Sequence, residues 1–250
     1  MAIQWPSGLP MVWARRNSFL PADTSMVPAG GHRQFNDLLR DGLAQMGLSL
    51  APEKIEQLAS YACELRKWNR RMNLIARNTT VVDIVELHFI DSLTLLSFLS
   101  APGRQGEVLL DVGTGAGFPG LVLAVARPDL HTVLVEPRLK RVSFLRHIVR
   151  LLKLGNVEIV QARIEESGMA ADQRVDWVTC RALTRPGAFL DMVTPFMARG
   201  ARALLMLGPE QERRLPSELP GCFSVETGSG FRLPWSGAAR FIAVVKKTSE

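Results

Sequence analysis

The stretch VLLDVGTGAGFPG at residues 108–120 sets three glycines, Gly113, Gly115 and Gly117, at alternate positions between two apolar runs. Val108, Leu109 and Leu110 read as a strand buried on both faces, closed by Asp111. The second run, residues 121–126, suits a helix. Strand, glycine-rich turn and helix in that order imply a doubly wound α/β sheet. Without a Cβ the glycines reach φ > 0 and admit a ligand close to the backbone. The helix start adds unpaired amides. The stretch therefore implies a site for a nucleotide-like ligand at the carboxyl edge of a parallel sheet.

Two ligand classes compete for that turn. Gly115-x-Gly117-x-x-Gly120 matches the dinucleotide fingerprint, and Glu136 lies about twenty residues from the glycines, where a ribose-binding carboxylate belongs. In a dinucleotide site, however, the strand runs almost directly into the first glycine; here Gly113 and Thr114 intervene after Asp111. The register Asp111-x-Gly113-x-Gly115-x-Gly117 resembles the first motif of class I S-adenosylmethionine (SAM) methyltransferases. A carboxylate beside the turn suits the cationic groups of SAM and would repel a pyrophosphate.

A chain of 250 residues is long enough for one α/β domain and a modest accessory element. No apolar run approaches the roughly eighteen residues of a membrane-spanning helix. The three cysteines, Cys63, Cys180 and Cys222, match no zinc or redox spacing and read as free thiols of a cytoplasmic protein. A net charge of +6 and a pI near 9.7 favour a polyanionic partner, most simply nucleic acid.

The pattern divides the chain into a proline-rich extension at 1–32, expected to be disordered, a helical region at 33–100, and a ligand-binding domain at 101–250. A first helix starts at Phe35 and ends at Gly47. Pro52 opens a second, with Ile55, Leu58, Ala59, Ala62 and Leu65 on its buried face and Trp68 as a further candidate for it. Arg66, Lys67, Arg70, Arg71 and Arg77 crowd its far end, either complementing the helix dipole or forming a phosphate-binding patch. A third helix, capped by 78–80, sets His88, Asp91 and Ser92 on one face, read as a hydrogen-bonded brace against the next domain.

Beyond the glycine turn, residues 132–136 form the second strand, so Asp111 and Glu136 stand at neighbouring strand ends. A basic amphipathic helix follows at 138–153, then a third strand at 157–160 with Ile164 and Glu165 after it. The fourth strand, 176–180, leads into Arg181. A helix from Pro186 to Gly200 has Phe189, Met192, Val193 and Phe196 inward. The fifth strand is 203–207. Two strands at 222–226 and 241–245, separated by Gly228 and Gly230, form an antiparallel hairpin at the edge of a mostly parallel seven-stranded sheet.

Together these residues resemble the guanine-N7 methyltransferases of small-subunit ribosomal RNA, the glucose-inhibited division protein B family. The likeness rests on Trp68-Asn69 with Asn73-Leu74, on His88-x-x-Asp91-Ser92-Leu93, and on 111–120. Lys140-Arg141-Val142 with Phe144-Leu145, and Arg181-Ala182, add to it. The resemblance implies a class I SAM-dependent methyltransferase with SAM as cofactor and 16S rRNA, free or in the small subunit or an assembly intermediate, as partner. It implies no metal, no membrane and no obligatory general base. Carried over by motif, Gly113 and Phe118 line the SAM pocket, Ile164 and Glu165 flank the adenine, and Arg181 lies near the ligand. Asp111, Gly115 and Glu136 follow from the general class I pattern. Leu207 and Leu87 stand where the family often has a basic residue, which bears on RNA contacts. The competing readings are an NAD(P)-dependent oxidoreductase, a SAM methyltransferase with a non-RNA substrate, and a non-catalytic RNA-binding module.

Overall fold

A computed structural model describes residues 31–102, 106–169, 175–181 and 185–248. Residues 1–30 of the expected disordered extension, and Ala182, lie outside the described residues.

Strands β1 (Val108–Val112), β2 (His131–Val135), β3 (Val157–Val160), β4 (Val175–Cys180), β5 (Met197–Leu207), β6 (Phe223–Arg232) and β7 (Ala239–Lys247) form one seven-stranded sheet. Its order is β3-β2-β1-β4-β5-β7-β6. The neighbours from β3 to β5 pair in parallel, while β7 runs antiparallel to both β5 and β6. The strand order reverses between β1 and β4, which opens a crevice at their carboxyl ends. Asp111 pairs with Leu134 and Val112 with Val135, so Asp111 and Glu136 reach that edge together.

Helices α1 (Gly31–Gln45) and α2 (Pro52–Met72) precede a composite segment. In it α3 (Val81–Ile84) runs into a π-helical turn, Val85–Ile90, then α4 (Asp91–Leu93) and a 3-10 turn, Thr94–Ser97. Pro52 occupies the first turn of α2, where its missing N–H costs nothing. Thr80 and Asp83 close a reciprocal capping box on α3. Helices α5 (Gly120–Ala126), α6 (Leu139–Leu151), α7 (Pro186–Val193) and α8 (Pro209–Glu218) complete the chain.

The N-terminal helices share a core with the sheet. Leu39, Leu58, Tyr61, Phe89, Phe118, Leu121, Phe144 and Ile148 belong to one buried cluster. Polar ties reinforce the join. Arg240 on β7 donates to Asp91 at 3.2 Å, and buried Glu86 accepts from the backbone amides of Trp235 and Ser236 at 2.6 and 2.9 Å. The other face of the sheet packs Phe189, Leu190 and Val193 of α7 and Leu215 of α8.

Several boundaries differ from the sequence reading. α1 begins four positions before Phe35, at Gly31. α7 ends at Val193, and β5 already starts at Met197, so Gly200 lies inside a strand at φ +83°. The β4–β5 register jumps from Val175↔Met197 to Trp177↔Arg202, and the surplus residues of β5 fold out as a bulge that a left-handed glycine accommodates. Phe189, Leu190 and Val193 form the buried face of α7, and Met192 faces outward at 39% exposure instead of joining the core. Gly228 and Gly230 lie within β6, because β7 offers that strand a continuous partner on either side of a bulge between Val225 and Thr227.

Candidate active site

Asp111, wholly buried at the end of β1, organises the glycine turn from below. Its Oδ2 accepts from Thr114 Oγ1 at 2.6 Å and from the Gly120 amide at 2.8 Å. Its Oδ1 is buried without a hydrogen-bond partner. Burial outweighs the hydrogen bonds and lifts the carboxyl to a pKa of about 6.

The glycines divide into two kinds. Gly113 and Gly115 hold φ +70° and +63°; a Cβ on Gly113 would meet nothing within 4 Å, and one on Gly115 would find Arg141 NH1 at 3.8 Å. These two face open space. A Cβ on Gly117 would lie 2.5 Å from Tyr61 Oη, and one on Gly120 2.6 Å from Leu134 and 2.7 Å from Asp111. Those two are glycines for packing.

Glu136 stands beside the turn at 2% exposure. Its Oε2 accepts from the Gly115 amide at 3.0 Å and its Oε1 from the Arg138 amide at 2.9 Å; Arg141 NH1 lies 3.5 Å from Oε2. Beyond β3, Ile164 is buried in the core cluster that holds Val133 and Val135, and Glu165 is exposed next to it. Both sit on the same sheet edge as Asp111.

Arg181, one residue past β4, packs against Phe118. Its NH1 donates to the Leu87 carbonyl at 3.0 Å and lies 2.7 Å from His88 Nδ1, and its guanidinium carbon sits 4.9 Å from the centre of the Phe118 ring. His88 stacks on the same ring at 5.0 Å. Burial, helped by the Arg181 charge, holds His88 down at a pKa of about 3, so the imidazole is neutral and its Nδ1 can accept. His88, Asp91 and Ser92 brace this segment against the sheet in a hydrogen-bonded cluster, with Ser92 Oγ donating to the His88 carbonyl at 2.5 Å. Asp91 reaches Arg240, whereas His88 turns to Arg181 and Phe118.

A turn that cradles phosphate aims its amides at the ligand. Here the Gly113 and Thr114 amides donate to Val135 O, Gly115 to Glu136, Gly117 and Phe118 to Thr114 O, and Gly120 to Asp111. Those donors are spent inside the protein. The unsatisfied group of the site is a buried carboxylate oxygen, which calls for a cation or a donor. The dinucleotide reading fails on this point.

The family model for rRNA small subunit methyltransferase G matches residues 54–224, from α2 through the glycine turn and Arg181 into β6. The chain belongs to this family. Ribosomal RNA small subunit methyltransferase G of Desulfotalea psychrophila is 44% identical over 85% of this chain and 98% of its own length. The protein of the same name from Leuconostoc citreum is 38% identical over 82% of this chain and 87% of its own. A predicted O-methyltransferase from Agrobacterium tumefaciens superposes with a TM-score of 0.53 at 20% identity, covering 62% of this chain and 80% of that one. The fold is that of a class I SAM-dependent methyltransferase with an N-terminal helical extension.

This methyltransferase also uses a residue that the sequence reading passed over. Tyr61, the single tyrosine of the chain, is fully buried on α2, and its hydroxyl donates to the Ala116 carbonyl in the glycine turn. Its ring stacks on Phe118 at 5.5 Å. A lone tyrosine one position from the Ala62 stripe was the available signal. Among the described residues no group of His, Cys, Asp or Glu is placed to hold a metal ion, and no helix is long and apolar enough to cross a membrane.

Proposed function

We propose that the protein transfers a methyl group from SAM to N7 of one guanine in 16S rRNA, free or within a small subunit or assembly intermediate, in the cytoplasm. The observation that carries this reading is the buried Asp111 Oδ1, partnerless beneath a turn in which the amides of Gly113, Thr114, Gly115, Gly117, Phe118 and Gly120 already donate within the protein. SAM fits that donor set, because its ammonium and sulfonium groups are cationic. In this reading residues 101–250 are the SAM-binding unit, with the helices of 33–100 packed over it. Asp111 takes the cationic end of SAM. Gly113 and Gly115 allow close approach, and Glu136 exchanges its present donors for the ribose hydroxyls. Ile164 and Glu165 flank the adenine, and Phe118 with Arg181 closes the opposite wall.

When bound, SAM supplies an electrophilic methyl on a positively charged sulfur. Guanine N7 already carries an in-plane lone pair, so the chain has no proton to remove and needs no general base. Its residues act by alignment and by excluding water. His88 stays neutral and Tyr61, its pKa raised by burial, stays protonated, so each holds a neighbour in place. Arg181, fixed through NH1, keeps the rest of its fork for an acceptor, the SAM carboxylate or guanine O6. A base to be methylated must lie unpaired or leave its stack.

Incubating the protein with labelled SAM and small-subunit RNA from cells lacking it tests this reading. Label should enter the RNA, either naked or in intact subunits. Tight SAM binding with transfer to neither, or with transfer to protein or small molecules only, would overturn the RNA substrate. RNA binding without any transfer would leave a non-catalytic module.

The raised Asp111 pKa gives SAM binding a pH dependence. The free protein holds a proton on Asp111 below about pH 6, and a cationic ligand favours the ionised form, so binding releases that proton. Affinity should therefore climb as pH rises through about 6, by up to about tenfold per unit on the acid side. The neighbouring charges, Arg181 and Glu136, act on Asp111 in opposite directions. Calorimetric titration between about pH 5 and 7.5 reads the effect. Asp111→Asn should bind SAM weakly and lose the slope; the wild-type slope in that variant would place the titration elsewhere.

A further inference from the structure

The chain carries cations that the SAM pocket does not use, and their placement is directional. α2 and α6 run antiparallel: Gln57 Nε2 donates to Leu152 O at 3.3 Å, His147 Nε2 meets Glu64 at 2.8 Å, and Trp68 packs on Phe144 at 5.5 Å between ring centres. Continuing that register lays the last turn of α2, with Arg70 and Arg71, beside the start of α6. The start of α6 borders the glycine turn, since the Arg138 amide and Arg141 both bind Glu136. An open pocket of about 530 Å³ lies at the end of α2, lined by Glu64, Lys67, Trp68, Arg70, Arg71 and Met72.

The helix dipole explains the basic residues ending α2, which sit at a negative pole. It does not explain α6. There Arg138 and Lys140 are exposed at the positive pole, with no acidic residue in the first turn. Among the described residues neither side chain has an ion pair. Leu139 between them is 58% exposed. Cations held against a dipole and an exposed apolar side chain at the start of α6, beside the pocket and half-buried indole at the end of α2, match what single-stranded nucleic acid needs: phosphate contacts and a stacking platform. Glu64, the acid in the lining, is paired with Lys67 at 2.5 Å, and His147 Nε2 lies 2.8 Å from its other oxygen.

We infer that the α2–α6 groove grips the single-stranded RNA next to the target guanine, with a base on Trp68 and phosphates on Arg70, Arg71, Arg138 and Lys140. This rests on the ribosomal RNA reading of the site. The strand then leaves the groove at the glycine turn, where the methyl is transferred.

The test pairs one exposed charge from each wall, Arg70→Ala with Lys140→Ala, and separately Trp68→Leu against Trp68→Phe. RNA affinity is measured across a salt series on small-subunit RNA, with SAM affinity and thermal unfolding as controls. The double variant should keep its SAM affinity and lose about tenfold in RNA affinity, and its log–log salt slope should shrink by about 1.4 for two lost phosphate contacts. Trp68→Leu should weaken RNA binding about tenfold at an unchanged slope, with Trp68→Phe recovering most of it. RNA affinity and slope at wild-type values in the double variant, with Trp68→Leu also unaffected, would overturn the groove. If the wild type methylates small-subunit RNA while these variants match it, the groove alone is wrong. If the wild type neither binds nor methylates that RNA, the ribosomal reading falls and the groove with it.

Discussion

Gly113→Arg should abolish measurable SAM binding while leaving the protein folded. Gly113 sits at φ +70° with open space where its Cβ would be. The new side chain therefore meets no protein atom at its root and extends into the space the proposal gives to SAM. The fold bears only the left-handed strain of a non-glycine residue, on the order of 1–2 kcal/mol. Gly120→Val provides the contrast. Its Cβ would lie 2.6 Å from Leu134 and 2.7 Å from Asp111, inside a close-packed core, so that variant should lose folded protein itself. Calorimetric titration with SAM, alongside thermal unfolding, separates the two effects. Wild-type SAM affinity in Gly113→Arg would remove this residue from the pocket.

Arg181→Ala should lower turnover at least about tenfold, the scale of one charge-assisted hydrogen bond lost from an ordered site. The guanidinium is held in three ways at once, by the Leu87 carbonyl, by His88 Nδ1 and by the face of Phe118. A lysine offers one charge on a flexible stem and cannot keep these contacts while presenting a second donor, so Arg181→Lys should not restore the rate. His88→Ala should act in the same direction and more weakly, since it frees the arginine without removing it. The split between constants locates the role. A rise in the SAM dissociation constant assigns Arg181 to the SAM carboxylate, whereas a fall in kcat with SAM affinity intact assigns it to the guanine. An unchanged rate and affinity would make Arg181 part of the scaffold.

The strand, glycine turn and helix around Asp111 could be read directly because their pattern is local: an apolar run, a carboxylate, and residues that alone reach φ > 0. The pairing of Asp111 and Glu136 at one sheet edge followed from parallel strands of equal length, and the β1–β2 register shows it. What the chain hides is non-local. Nothing near Tyr61 says that its hydroxyl meets the Ala116 carbonyl, fifty-five residues on. Which glycines serve packing and which face open space depends on Tyr61, Leu134 and Asp111 arriving from other elements. The partners of His88 and Asp91, Arg181 and Arg240, likewise arrive from residues far along the chain. Gly200 reads as a helix stop in isolation and becomes a strand bulge only because β4 sets the register of β5.

The central claim, methyl transfer to N7, is tested most directly by where the label lands. Small-subunit RNA labelled from SAM by this protein is treated so that the chain is cut at N7-methylguanine. The account predicts cleavage at a single guanine, coincident with all of the label, and none with Gly113→Arg. Label that stays on uncut RNA, or on another atom of the base or ribose, would contradict it.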